Sequence, residues 1–272
     1  MPNAAWISSG VSTVTNTSTG DWLAPVPVSR LMAESRHWLG GRLAVVTGAS
    51  RGIGAATAEA IAAAGAHVVL AARDHEALDG VAGRIRDSGG EATPVPTDVS
   101  KVDDVERLFT AVEEVGSLAA LVCAAGTLRS EPFTQITPET WAETLDVNLT
   151  GSFLCCRAAF LAMRPSREGR IVNIASLSGV YATEKFPGLT AYNVSKFGVI
   201  GLTEAIAVEG KEHGISAICV SPGAVDTEML RRANPALRPG LTPADVAELI
   251  VALLDSPLAA ASGANIPLFS NA

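Results

Sequence analysis

Thr47-Gly48-Ala49-Ser50-Arg51-Gly52-Ile53-Gly54 follows a short apolar run, Leu43–Thr47, and opens an Ala-rich stretch that reaches Ala64. The run reads as a buried strand, and the stretch as a helix closed by Gly65 in a C-cap position. Between them the glycines follow Gly-x-x-x-Gly-x-Gly. Glycine allows a tight turn and lets a ligand approach the backbone closely. The helix start then presents N–H groups and a positive dipole end to a pyrophosphate. Gly48, Ser50, Arg51, Gly52, Ile53 and Gly54 are therefore candidate cofactor-binding residues. The same residues also spell Gly48-x-Ser50-x-Gly52, the nucleophile-elbow spacing of a serine hydrolase. That competing reading needs a later histidine, for which His213 is the best placed.

The alternation continues outward. His67–Ala71, Glu91–Val95, Leu118–Cys123, Arg170–Ile174 and Ile215–Val220 read as strands, and Ala264–Pro267 as a short final one. Between them lie helical patterns. Asp74–Ser88 places Leu78, Val81, Ala82 and Ile85 at spacings of three and four. Ser100 and Asp103 are spaced as a capping box before Val102, Val105, Leu108, Phe109 and Val112. Thr137-Pro138 starts a helix running to about Met163, and Tyr192 to about Glu212 is another. Thr242-Pro243 caps a last helix carrying Val246, Leu249, Ile250, Leu253 and Leu254 on one face. Strands alternating with helices predict an α/β fold, a doubly wound parallel sheet with helices on both faces.

Composition bounds the partners. The 272 residues are 48% hydrophobic and 18% charged, so the chain builds a core. Twenty Lys+Arg against 28 Asp+Glu give a net charge of −8, which disfavours nucleic acid and anionic membranes. The longest run of small and apolar residues, Ala60–Ala72, is interrupted by His67, so no membrane span is expected. Cys123, Cys155, Cys156 and Cys219 form neither a disulfide framework nor a zinc pattern, and the four histidines are scattered. The expectation is reduced thiols in a cytoplasmic protein without a metal site. Asn3–Gly20 is uncharged and rich in Ser, Thr, Asn and Gly, with Pro25 and Pro27 after it. Residues 1–40 therefore read as a disordered extension, with Met32 as an alternative start, ahead of a single domain over residues 41–272.

Two further features carry chemistry. At the end of the second strand, where an acidic residue would bind the adenosine ribose of NAD, the chain reads Ala71-Ala72-Arg73-Asp74. Arg73 and Arg51 together suit the 2′-phosphate of NADP(H), with Asp74 left to cap the next helix. The second feature is Tyr192-Asn193-Val194-Ser195-Lys196, which puts Tyr and Lys on one helix face. A neighbouring ammonium favours the phenolate, so the pair can move a proton nearer neutral pH than a free tyrosine.

Taken with Thr47–Gly54, this pair makes the chain resemble the short-chain dehydrogenase/reductase family, over about Arg42 to Leu268. Further segments match the family's pattern: Asp98-Val99, Ala125-Gly126, Asn148 in Val147-Asn148-Leu149-Thr150-Gly151, Ser176 in Ile174-Ala175-Ser176-Leu177-Ser178-Gly179, and Pro222-Gly223 with Val225-Asp226-Thr227. The resemblance implies a Rossmann fold and hydride transfer between nicotinamide and a ketone, aldehyde or alcohol. It implies Tyr192 as acid or base at the substrate oxygen. Lys196 would hold the nicotinamide ribose, Ser176 (or Ser178) would bond the substrate oxygen, and Asn148 would position water in a proton relay. Asp98 and Val99 would contact adenine. Ala125 and Gly126 would line the cofactor, and Pro222, Gly223, Val225 and Thr227 would embrace the nicotinamide. Members commonly pair through the two long helices that here hold Asn148–Met163 and Tyr192–Glu212, so a homodimer or homotetramer is implied. An NADP(H)-binding sensor without turnover is the non-enzymatic alternative.

Three departures stand out. Cys123-Ala124 replace two asparagines of the family's Asn-Asn-Ala-Gly. Ser176 precedes Tyr192 by 16 residues, with the extra length in Thr183–Gly188. The segment between Thr227 and Leu241, where a substrate lid is expected, is short, and Ala207-Val208-Glu209 lacks the arginine often seen in acyl-carrier reductases of the family.

Overall fold

The computed structural model describes residues 38–255 and 261–270. The expectations of disorder before Trp38 and of a start at Met32 lie outside those residues. Trp38 and Leu39, on the extension side of the expected boundary, pack into the fold. Leu39 is fully buried, and the Trp38 ring lies under the Arg42 and Arg170 guanidinium groups at 4.4 and 3.8 Å.

The strands are β1 (Leu43–Thr47), β2 (His67–Ala72), β3 (Glu91–Pro96), β4 (Leu118–Cys123), β5 (Gly169–Ile174), β6 (Ile215–Pro222) and β7 (Asn265–Leu268). The helices are α1 (Gly52–Ala63), α2 (His75–Asp87), α3 (Val102–Val115), α4 (Pro138–Leu145), α5 (Gly151–Met163), α6 (Thr190–Gly210), α7 (Glu228–Ala233) and α8 (Pro243–Asp255). All strands are parallel, in the order β3-β2-β1-β4-β5-β6-β7.

Sequence periodicity explains the layering. β1 and β4 are buried along their whole length, as central strands covered on both faces must be. Side chains alternate across the sheet. Ala44 and Val46 therefore join the core under α1, α2 and α8, while Val45 and Leu121 join the core under α3, α5 and α6. α2 buries the expected Leu78, Val81, Ala82 and Ile85, and Asp74 caps it by accepting from the Ala77 N–H at 3.1 Å. Thr137 and Thr140 form a reciprocal capping box at α4.

Three details depart from the sequence reading. Ser100 and Asp103 do not form a capping box, because the chain turns into α3 one residue later, at Lys101. The Asp104 carboxylate instead accepts from the Asp98 N–H at 2.9 Å, and Ser100 donates its hydroxyl to Asp98 at 2.7 Å. Val102 consequently faces solvent. The helix from Pro138 is not uniform: Asp146–Thr150 forms one π turn between α4 and α5. Finally, the continuous helical run over residues 138–166 is long and apolar enough, by length and composition, to cross a membrane. Counting unbroken apolar runs missed it, because Glu143, Asp146 and Arg157 interrupt them. Its buried residues, including Cys155, Cys156, Ala159 and Met163, pack in the core beside β4.

The strand order reverses direction between β1 and β4. Loops leaving those two strands diverge to opposite faces, which opens a crevice at their C-terminal ends. The Thr47–Gly54 turn lies on one side of it.

Candidate active site

The crevice is a cleft of about 910 Å³. It is lined by Gly48, Ser50, Arg51, Gly52, Ile53 and Gly54 of the glycine turn, with Thr227 beside Gly52, by Asp98, Val99, Ala125 and Gly126, and by Tyr192 and Lys196. Arg73 stands on the rim at the end of β2. One cleft thus gathers candidates from loops separated by 170 residues or more of chain.

The glycine positions are enforced by space. Gly48 has φ +68°, and a Cβ there would come within 2.7 Å of the Ala125 backbone. The first turn is thereby pressed against the end of β4, and Thr47 Oγ1 accepts from the Ala125 N–H at 3.2 Å. Gly52 has φ +56°, and its missing side chain leaves room for the Thr227 methyl, 3.4 Å from an added Cβ. α1 has no side-chain cap and no acidic residue in its first turn. An anion approaching its N-terminus meets N–H groups and no carboxylate of that turn. These features fit the pyrophosphate of a dinucleotide.

The α6 helix places Tyr192 and Lys196 four residues apart, both buried. Lys196 donates to the Ile174 carbonyl at 2.8 Å, which fixes the ammonium beside β5. Its nitrogen lies 5.7 Å from the centre of the Tyr192 ring. Burial pushes the Lys196 ammonium down to about 8, against a smaller upward pull from Cys219 and Cys123. Burial also pushes the Tyr192 phenol up, opposed by a hydrogen bond with Ser176. Of these two effects on the phenol, desolvation is the larger.

Asn148 sits in the π turn, fully buried. Its Oδ1 accepts from the Thr127 N–H at 2.7 Å, and its Nδ2 donates to the Thr127 carbonyl at 2.9 Å and to Ser195 Oγ at 3.0 Å. Ser195 in turn donates to the Tyr192 carbonyl at 2.7 Å. Thr127 and Ser195 were missed from sequence, since neither residue type carries a signal without its partner. Ser176 ends the extended chain after β5, and its Oγ accepts from the Ser178 N–H at 3.2 Å. Lys185, in the longer loop, donates to the Leu177 and Val180 carbonyls at 3.3 and 2.6 Å, bracing the turn that follows Ser176.

Pro222, Gly223 and Val225 stand behind the cleft wall. Gly223 donates to the Leu268 carbonyl at 2.9 Å, and Val225 is buried and bridges Leu241. Thr227 reaches the cleft and caps α7, accepting from the Leu230 N–H at 3.2 Å. Cys123, at the first of the departing positions, lies 3.8 Å from the Cys156 sulfur. Cys156 donates to Asn173 Oδ1 at 3.3 Å, and Asn173 donates to Thr203 at 3.0 Å, so a polar chain crosses the core here. Among the described residues no group of His, Cys, Asp or Glu is arranged for a metal.

The hydrolase reading fails on geometry. Ser50 lies at the C-terminal end of β1, whereas His213 precedes β6 and so lies at the opposite end of a parallel sheet. Its ring packs edge-on against Phe160, 5.5 Å away.

The short chain dehydrogenase family profile matches residues 42–238. The chain belongs to that family. It is 39% identical over 198 residues to a 3-oxoacyl-[acyl-carrier-protein] reductase of Synechocystis, covering 72% of this chain and 79% of that one. A short-chain type dehydrogenase/reductase from Mycobacterium marinum superposes with TM-score 0.80 at 33% identity, covering 88% of this chain and 98% of that one. A variant of actinorhodin polyketide ketoreductase with NADPH superposes with TM-score 0.78 at 30% identity, covering 85% of this chain and 96% of that one. As a short-chain dehydrogenase, the protein is an NAD(P)(H)-binding oxidoreductase acting on CH–OH and C=O groups.

Proposed function

We propose that this short-chain dehydrogenase is an NADP(H)-dependent oxidoreductase that interconverts a ketone or aldehyde with the corresponding alcohol, using Tyr192 as the acid/base. The observation that carries the reading is the convergence of Tyr192, Lys196 and the glycine turn on one cleft. The bound dinucleotide supplies the hydride donor or acceptor at C4 of the nicotinamide. In reduction, Tyr192 donates its phenolic proton to the substrate oxygen as the carbon receives hydride; in oxidation it accepts that proton. Ser176 bonds the same oxygen, and Lys196 holds the ribose and steadies the phenolate. Asn148, fixed by Thr127 and Ser195, orients water behind Lys196. Thr227 closes the nicotinamide end.

Preference for NADP(H) is supported at the adenosine end. Arg73 is exposed on the cleft rim with no ion-pair partner among the described residues, while Asp74 is engaged in capping α2. An exposed guanidinium at that strand end is consistent with a 2′-phosphate, and Asp74 keeps one carboxylate oxygen on the Ala77 N–H. Exposed Phe153, Leu161, Val194, Phe197 and Val208 on α5 and α6 support a homodimer or homotetramer through these helices. The test of the reaction is a panel of carbonyls with NADPH and NADH, and of alcohols with the oxidised cofactors, followed at the nicotinamide absorbance. The reading expects turnover with higher kcat/KM for the phosphorylated cofactor; equal or better efficiency with NADH refutes the preference.

A further inference from the structure

Arg51 and Glu228 join the two lips of the cleft. Arg51 stands at the N-cap of α1, and Glu228 is the first residue of α7, 177 positions later. Their side chains meet at 2.9 Å. Just below, the Thr227 methyl lies against the space left by Gly52, so the lips touch over the channel where a pyrophosphate would pass. Glu228 also pairs with Arg232, one turn along α7, and Arg231 pairs with Asp226. Glu228 therefore holds two guanidinium groups, one from each side of the cleft.

The position of Arg51 gives this pair a consequence. Arg51 and Arg73 are the two cations assigned above to the 2′-phosphate; among the described residues Arg51 is paired with Glu228, whereas Arg73 has no ion-pair partner. We propose that Glu228 is a specificity-determining residue that competes with the cofactor's 2′-phosphate for Arg51. Binding of the phosphorylated dinucleotide exchanges the Arg51–Glu228 pair for an Arg51–phosphate pair and unfastens α7 from the glycine turn. The inference rests on the NADP(H) reading above. The exchange is feasible because both side chains are substantially exposed, at 62% and 44%. Such pairs are weak, and a phosphate offers a guanidinium more charge and a bidentate geometry. No atoms are transferred; the step is an exchange of ion pairs.

The test measures equilibrium binding of adenosine 2′,5′-bisphosphate and adenosine 5′-monophosphate to the full chain, the Glu228→Gln and Arg51→Ala variants, and the double variant. The expectation is that Glu228→Gln binds the bisphosphate about two- to five-fold more tightly than wild type, with the monophosphate unchanged. In the Arg51→Ala background the Glu228→Gln gain should vanish. An unchanged or weakened bisphosphate affinity in Glu228→Gln overturns the proposal. So does a gain that persists without Arg51, since that is plain charge repulsion. A wild type that favours the bisphosphate with no response to Glu228→Gln leaves NADP(H) preference intact and sinks the competition alone. If the wild type shows no preference but Glu228→Gln gains one, the competition stands and NADP(H) preference falls.

Discussion

The Asn148 amide donates to Ser195 Oγ at 3.0 Å, and the same hydroxyl donates to the Tyr192 carbonyl. The π turn of one helix is thereby tied to the first turn of the next, with the reactive tyrosine at the junction. Ser195→Ala removes the acceptor of a fully buried amide and frees the Tyr192 carbonyl. A buried group left unpaired costs about 1–3 kcal/mol. The expected outcome is a lowered Tm and a lower kcat with cofactor affinity little changed. Unaltered kcat and Tm would show that the link between Asn148 and Tyr192 is dispensable.

Gly48 is the position where the turn has least tolerance. Its φ of +68° and the Ala125 backbone at 2.7 Å from an added Cβ leave Gly48→Ala no relief through a side-chain movement. The expected outcome is a destabilisation of about 2 kcal/mol or more, from strain and overpacking together, and weakened dinucleotide binding. Thermal unfolding and fluorescence titration with NADPH check both; wild-type values in each would mean that the turn is not held against β4.

The lysine has a consequence for stability. Lys196 falls from 10.5 to about 8 in the folded protein because it is buried. Between about pH 8 and 10.5 the unfolded chain holds a proton that the folded chain has lost, so this residue's contribution becomes more favourable as pH rises through that window. Below pH 8 both states are charged and the full penalty of burial applies. Raised Tyr192 and cysteine values work the other way at high pH. The informative quantity is therefore the difference in Tm between wild type and Lys196→Met. It should shift in favour of the wild type from pH 8 to 10; a flat difference contradicts the burial account.

The four cysteines are all buried; burial raises the thiols of Cys155 and Cys219, and the hydrogen bond with Cys156, followed by burial, raises that of Cys123. A thiol reagent needs the thiolate and access to it. The native protein should therefore react slowly with a chromogenic disulfide at pH 8 and release four equivalents on unfolding. Rapid native reaction at any of them would show that the core opens readily.

The fold was legible because its signal is local. Buried strands such as Leu43–Thr47 and Leu118–Cys123 are short apolar runs, and Thr137-Pro138 and Asp74 announce helix starts directly. The cleft was legible because the glycine turn and the Tyr192–Lys196 spacing are constrained by geometry. What stayed hidden depends on partners far along the chain or on depth. Asp104 displaced the expected Ser100 cap because the chain turned one residue later. The π turn at Asp146–Thr150 follows from a hydrogen-bond shift that residue types do not encode. The Arg51–Glu228 pair joins residues 177 apart, and the opposite shifts of Tyr192 and Lys196 come from burial that only packing reveals.

The most direct test of the central claim is the Tyr192→Phe variant, assayed for carbonyl reduction and titrated with NADPH in parallel. Removing the phenolic proton should lower kcat by about 10²–10⁴-fold, the usual contribution of a positioned acid/base, while NADPH affinity stays within a few-fold of wild type. Unchanged turnover by Tyr192→Phe, over a panel on which the wild type is active, would contradict the assignment.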